Sequence, residues 1–291
     1  MKKLFSLLAA GALLVSCCLF AACHKPDDGL PKVQKGDFPV TIGDVTVAIR
    51  PTHAVVLTPS LADIVTDLGY TALLAGRADE CDNPAVAALP TVGPGLNPDT
   101  QALYSAGVDL VLAQQPLPDS VTAWLTASGV PLVTLPPATD GASLEALYVG
   151  VAKALGGELS GGAAGETLFG SFVSAVQALG SSEAQSPQGS VLMQLDYGFV
   201  ATGDSFDGWL LRTVGLTNVA ENGVGFTAPA DMAAPDKVLT PTSEQQRLLA
   251  CQSTRSLAAL AEILAGKGST DSTVTDSTES AFTGATASYS E

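Results

Sequence analysis

Runs in which every position is apolar, with no polar residue alternating, constrain this chain more than any other feature. Ala54-Val55-Val56-Leu57 ends at Thr58, Leu110-Val111-Leu112-Ala113 ends at Gln114, and Val130 to Leu135 is nearly as apolar. A strand with one solvated face would alternate, so strands apolar on both faces belong to a parallel sheet covered by helices on each side. The intervening segments supply the helices. Pro59 to Gly69 carries Leu61, Ile64, Val65 and Leu68 at helical spacing; Ser60, with Asp63 three residues on, is expected to cap it and Gly69 to close it. Ala72 to Gly76 reads as a further strand and Pro98 to Ala106 as a helix. Another helix is expected over 119–128, and one capped by Ser143 ends at Gly156-Gly157. A longer helix over 163–179 keeps Leu168, Phe172, Val176 and Leu179 in phase and would span roughly 25 Å at 1.5 Å per residue. The class is therefore α/β, and ligands in such sheets sit beyond the carboxyl ends of the strands. That directs attention to Thr58-Pro59-Ser60, Arg77 to Pro84, Gly93-Pro94-Gly95 and Gln114-Gln115.

Ahead of this block, Phe38 to Arg50 alternates around Gly43-Asp44 and predicts a hairpin. Behind it, Ser181 to Gly189 is polar and contains proline, a boundary signal. The second half repeats the same pattern with shorter apolar runs. Strands are expected over 190–195, 198–202 and 237–240, a helix opened by Ser205 and closed by Gly215, and one or two helices over 243–265. From Gly266 to Glu291 the Ser/Thr-rich chain is expected to be disordered.

The amino terminus reads as a secretory signal: Lys2-Lys3, an apolar run from Leu4 to Phe20, then Ala21-Ala22-Cys23. A Cys after small residues is the layout of a lipoprotein signal, with Cys23 the preferred lipidation site and Cys17 the alternative; residues 24–37 would be the tether. Cys81 and Cys251 then remain in the folded part, and whether they pair is open. The 13 basic residues face 29 acidic ones, and the resulting net charge of −16 excludes a nucleic-acid binder. No nucleophile elbow, phosphate-binding loop or paired-His motif appears, so no enzyme is expected, and no cofactor or metal site. His53 reads as a structural histidine.

Taken in order, Ala54-Val55-Val56-Leu57-Thr58-Pro59-Ser60, Cys81-Asp82-Asn83-Pro84, Leu89-Pro90-Thr91-Val92-Gly93, Asn97-Pro98 and Val108-Asp109-Leu110-Val111-Leu112-Ala113 resemble the periplasmic-binding proteins of iron-siderophore, haem and cobalamin ABC transporters. The Cys-Asp-x-Pro loop before Leu-Pro-x-Val-Gly looks most like the cobalamin-type branch. The resemblance covers residues 50–180 and resumes at Ala201 to Ser205, Gly215 to Val219 and Ala234 to Leu239. It implies a two-lobed fold: a first lobe over 38–160, a rigid interlobe helix over 161–180 and a reduced second lobe over 181–265. It also implies an extracytoplasmic, lipid-anchored monomer that delivers a cobalamin or iron chelate to an ABC permease. Family members dock through acidic residues; here Gln101 stands where Glu is usual, leaving Asp99 and, on the other lobe, Asp231. A scavenger of the same fold without a permease is the alternative.

A ligand of that size needs aromatic faces and a few polar anchors. Tyr197, Phe199, Phe206 and Phe226 are the second-lobe candidates, although Phe199 and Trp209 also fit core positions. Thr58, Ser60, Arg77, Asp79, Glu80 and Gln114 are the strand-end candidates of the first lobe. Arg77 could hold an anionic group bidentately or pair with the neighbouring acids.

Overall fold

The computed structural model describes residues 30–181 and 189–267. The expected signal segment with Cys17, Cys23 and His24, the first part of the tether, most of the 181–189 boundary and the 268–291 tail lie outside the described residues. The chain partitions between Lys32 and Val33, and every strand and helix among the described residues belongs to the part from Val33 onward.

Two short strands, β1 (Val40–Ile42) and β2 (Val45–Val47), pair antiparallel as the hairpin expected around Gly43. Next along the chain are β3 (Ala54–Val56), α1 (Pro59–Asp67), β4 (Leu74–Arg77), α2 (Thr100–Ser105), β5 (Leu110–Ala113), α3 (Asp119–Ala127) and β6 (Leu132–Thr134). The strands β3 to β6 form one parallel sheet in the order β4-β3-β5-β6. All of β3 and β5 is buried, as runs apolar on both faces require. Because β3 comes first in the chain yet has β4 on one side and β5 on the other, the sheet reverses direction of winding at β3. The crevice beside its carboxyl end is the topological switch point.

The helices α4 (Gly141–Gly156) and α5 (Ser160–Ser181) come next. After them β7 (Ser190–Met193), α6 (Phe206–Val214), β8 (Thr217–Asn218) and β9 (Lys237–Leu239) build a second parallel sheet ordered β8-β7-β9, succeeded by α7 (Ser243–Leu249) and α8 (Thr254–Leu264). Helix α5 packs against α4 of the first lobe and α6 of the second. Its glycines permit this. A Cβ on Gly165 would lie 2.6 Å from Val149 Cα, and one on Gly180 would lie 1.9 Å from the carbonyl oxygen of Val214. Asp37 holds the start of α5, its carboxylate accepting from the amides of Leu159 (3.0 Å) and Ser160 (2.8 Å).

Several local expectations are corrected. Thr58, not Ser60, caps α1, accepting from the Leu61 amide at 3.3 Å. Pro59, with its fixed φ and no N–H, takes the first helical position and moves the cap one residue earlier. Asp63 is therefore free to point elsewhere. It is 1 % exposed and accepts from Asn83 Nδ2 (2.8 Å), Ser253 Oγ (3.0 Å) and an Arg255 guanidinium nitrogen (3.1 Å). Helix α4 is likewise capped by Asp140, in a capping box with Ser143 at its third position. The strand expected over 198–202 is reduced to one antiparallel bridge between Gln194 and Val200, because a turn at Asp196–Gly198 with Tyr197 at φ +60° breaks it. Finally, α8, expected with the second lobe over 181–265, packs on α7 and also reaches the first lobe: Thr254 bonds Asp67 through its amide (2.9 Å) and hydroxyl (2.6 Å), and α8 packs on α1.

Candidate ligand-binding site

A cavity of about 370 Å³ lies between the loops at the carboxyl ends of β5 and β6 and the amino end of α6. Such a volume is within the roughly 300–1,000 Å³ of ligand pockets. From the first lobe it is lined by Gln114 and Pro137 to Thr139; from the second by Asp204 to Asp207, Gly225 and Phe226. Gln246, Ala250 and Gln252, on and after α7, complete the wall.

At the switch point Thr58 Oγ1 donates to Gln114 Oε1 at 2.8 Å, and Gln114 Nε2 donates to Ser60 Oγ at 3.4 Å. The turns after β3 and β5 are thus joined, and Gln114 is held with its amide at the edge of the cavity. Opposite, Ser205 caps α6 by accepting from the Gly208 amide at 3.1 Å, so Phe206 and Asp207 open that helix at the cavity wall. Phe206 is buried and stacked on Trp209, with centroids 5.6 Å apart and planes at 26°. Trp209 itself lies where a Cβ on Gly141 would touch it at 2.9 Å, so this aromatic pair reaches the first lobe. Phe226, held at φ +65°, packs against Phe199 with centroids at 6.3 Å. Phe199 is 48 % exposed and so is no core residue; Tyr197 is 96 % exposed and does not line the cavity.

The acids at the cavity differ. Asp204 accepts from Thr202 Oγ1 (2.5 Å) and the Gly225 amide (3.1 Å), and these bonds hold its carboxyl below the usual range. Asp207, half-buried, has no hydrogen-bond partner for its carboxylate among the described residues, and burial pushes it up to about 6. Gln252 clamps the Ala138 backbone from both sides, accepting from its N–H at 2.8 Å and donating to its carbonyl at 2.6 Å. It does so from a left-handed backbone at φ +51°, a conformation uncommon outside glycine.

The first-lobe loop after β4 serves a different purpose from the one expected. Arg77 neither faces the cavity nor pairs with the adjacent acids; its guanidinium donates to the carbonyls of Ala78, Cys81, Val86 and Ala87 at 3.0–3.4 Å. Glu80 accepts from the Gly95 amide at 3.0 Å, closing the loop on itself, and exposed Asp79 does not line the cavity. Asp82 pairs with Arg247 and Arg255, tying this loop to α7 and α8. His53 stands at the amino end of β3, away from the switch point, its backbone N–H donating to Asp109 at 2.9 Å. Cys81 and Cys251 are both buried free thiols. Among the described residues no group of three or more His, Cys, Asp and Glu is placed to hold a metal ion.

No family model and no curated protein matches the chain. Solved structures do. The haem-binding protein HmuT shares 20 % identity over 82 % of this chain and 93 % of its own, with a TM-score of 0.54. A possible iron-binding periplasmic solute-binding protein from Staphylococcus epidermidis shares 15 % over 74 % of this chain and 87 % of its own, also at 0.54. The chain has the periplasmic-binding-protein fold. A periplasmic haem-binding protein from Pseudomonas aeruginosa aligns more narrowly, over 58 % of this chain and 63 % of its own length, at 23 % identity and a TM-score of 0.48.

Within this periplasmic-binding fold the two acids expected at a docking face are exposed. Asp99 caps α2 by accepting from the Gln101 amide at 2.8 Å, and Asp231 lies in the loop between β8 and β9. Of the ten expected ligand contacts, Gln114, Phe206 and Phe226 line the cavity, Thr58 and Ser60 bond to Gln114, and Phe199 packs on Phe226. Asp207, Gln246 and Gln252 are not among the contacts expected from sequence. Asp207 directly follows Phe206 at a capped helix start, which is a usable signal; Gln252 reaches the cavity only through contacts 114 residues away, which no local pattern records.

Proposed function

We propose that this chain is the solute receptor of an ABC importer, capturing a cobalamin, haem or ferric-siderophore type of ligand outside the cell membrane. In this reading it is a binding protein and not an enzyme, it is anchored through lipidated Cys23, and it presents Asp99 and Asp231 to the permease. The observation that carries the proposal is the cavity itself. It lies at the carboxyl ends of first-sheet strands, faces the second lobe, and combines the Phe206–Trp209 stack and Phe226 with fixed amide groups. The names of the fold neighbours, haem-binding and iron-binding, agree with a metal-chelate ligand; preference for cobalamin rests on the Cys81-Asp82-Asn83-Pro84 loop and the Leu-Pro-x-Val-Gly segment.

Binding only to the folded state raises its stability by mass action. A thermal-shift screen with cyanocobalamin, haem and ferric siderophores is therefore the direct test: a concentration-dependent rise with one class supports the reading, and no rise with any removes the ligand assignment. The second reading, a scavenger without a permease, is favoured by Gln101 and by a second sheet of only three described strands. Uptake that falls on Asp99→Ala and Asp231→Ala, with binding unchanged, supports the importer; uptake indifferent to both supports the scavenger.

A further inference from the structure

The polar side chains around the cavity include amides and carboxylates. Gln114, Gln246 and Gln252 supply the first, Asp204 and Asp207 the second, and among the described residues no Lys, Arg or His lines it. The guanidinium on the same helix as Asp207, Arg212, is turned away, bonded to Glu221 at 2.5 Å and to the Gly203 carbonyl at 3.0 Å. The amides are already engaged: Gln114 with Thr58 and Ser60, Gln246 with Asp196 and the Pro241 carbonyl, Gln252 with Ala138. Asp204 is satisfied by Thr202 and Gly225. Asp207 alone among these five has no hydrogen-bond partner for its side chain among the described residues, in a place where water is partly excluded.

Asp207 is half-buried and has no protein donor, so a ligand that fills the cavity and strips its remaining water must bring a donor, and a carboxylate brought beside it would add like-charge repulsion. Building on the receptor reading above, we infer that Asp207 selects ligands whose rim presents N–H donors, carboxamide or ammonium, and rejects those whose rim carries carboxylates. Among metal macrocycles this separates an amide-rimmed corrinoid from a carboxylate-rimmed porphyrin. The inference concerns the chemistry of the ligand's edge and is independent of the metal at its centre.

Titration calorimetry at pH 7.5 on the full-length protein tests it with matched pairs. These are cyanocobalamin against its derivative with one side-chain amide hydrolysed to the acid, haem dimethyl ester against haem, and ferrioxamine B with its free ammonium against its N-succinyl form, which ends in a carboxylate. The expected result is a preference of about tenfold for the uncharged rim in a macrocycle pair, or for the ammonium in the ferrioxamine pair, since hydrogen bonds to charged groups are worth about that much. Asp207→Asn, checked for folding by circular dichroism, is expected to abolish the preference. Binding without any such preference, or a preference that survives Asp207→Asn, overturns the inference and leaves the receptor reading standing. If Asp207→Asn does not fold, Asp207→Ser takes its place in the same comparison. Absence of binding by all six compounds removes the receptor's ligand assignment and the inference together.

Discussion

Two glycines on one helix should respond differently to alanine. Gly165 and Gly170 both lie inside α5. A Cβ on Gly165 would come 2.6 Å from Val149 Cα and 2.9 Å from both the Tyr148 carbonyl oxygen and the Val149 nitrogen, all backbone atoms of α4. A side chain can rotate away from such a clash, but a helix backbone has to move. A Cβ on Gly170 meets nothing within 4 Å. Alanine favours the helix over glycine by about 1 kcal/mol at either site, so this gain cancels when the two variants are compared. What remains is the overpacking cost at Gly165, about 1–3 kcal/mol. Gly170→Ala should thus be more stable than wild type by up to about 1 kcal/mol, and Gly165→Ala less stable than Gly170→Ala by about 1–3 kcal/mol. For a chain of this size each kcal/mol moves the melting temperature by about 2–4 °C. Urea and thermal unfolding of the two variants measure the difference. Equal melting temperatures would mean that α4 and α5 do not approach through Gly165, and the argument that glycines set the packing of the lobe-joining helix would fail.

Asp63→Ala leaves the buried donors Asn83 and Ser253 without their acceptor, while Arg255 keeps Asp82, and should cost about 1–3 kcal/mol, read from urea unfolding. Asp37 has its carboxyl lowered to about 2: burial opposes the ionised form, and the amides of Gln34, Ser160 and Leu159 outweigh it. Its contribution is therefore present above the unfolded value near 3.8 and disappears as pH falls from there through 2, so Asp37→Asn should flatten the fall in melting temperature over that window. Asp207 has the opposite sign. With its folded value raised to about 6 by burial, stability is lost as pH rises from the unfolded value toward 6, so Asp207→Asn without ligand should melt higher than wild type at pH 7.5 and equally at pH values below the unfolded one. The thiols of Cys81 and Cys251, both pushed up by burial to about 12, should resist alkylation in the native protein and react on unfolding, as peptide mass spectrometry would show.

How far the sequence can be read depends on the range of the interaction responsible. The strands β3 and β5 are legible because burial on both faces leaves a continuous apolar run, and α5 because its apolar residues stay in phase along its length. The strand β8 is not, since Thr217-Asn218 is too short to show a period and is held by pairing with β7. Cap positions slip where two suitable side chains stand close together, Thr58 and Ser60 or Asp140 and Ser143, and backbone geometry chooses between them. In the cavity, Phe226 is visible because it sits in a glycine-rich turn and Gln114 because it ends an apolar run. The role of Arg77 is hidden because backbone carbonyls, its actual partners, leave no mark in a sequence. Asp63 reads as a helix-start acid; its partner Arg255 lies 192 residues further on.

That separation bears on how the molecule comes into being. The carboxylate of Asp63 is enclosed by Ser253 and Arg255, and Asp67 is met by Thr254, so the earliest lobe to be synthesised is completed by residues made long after it. A nascent chain interrupted before Ser253 would display the open flank of α1 with an acid lacking its cation. The first lobe therefore gains its full set of contacts only after α8 has been made, and loss of α8 should weaken the beginning of the protein as well as its end.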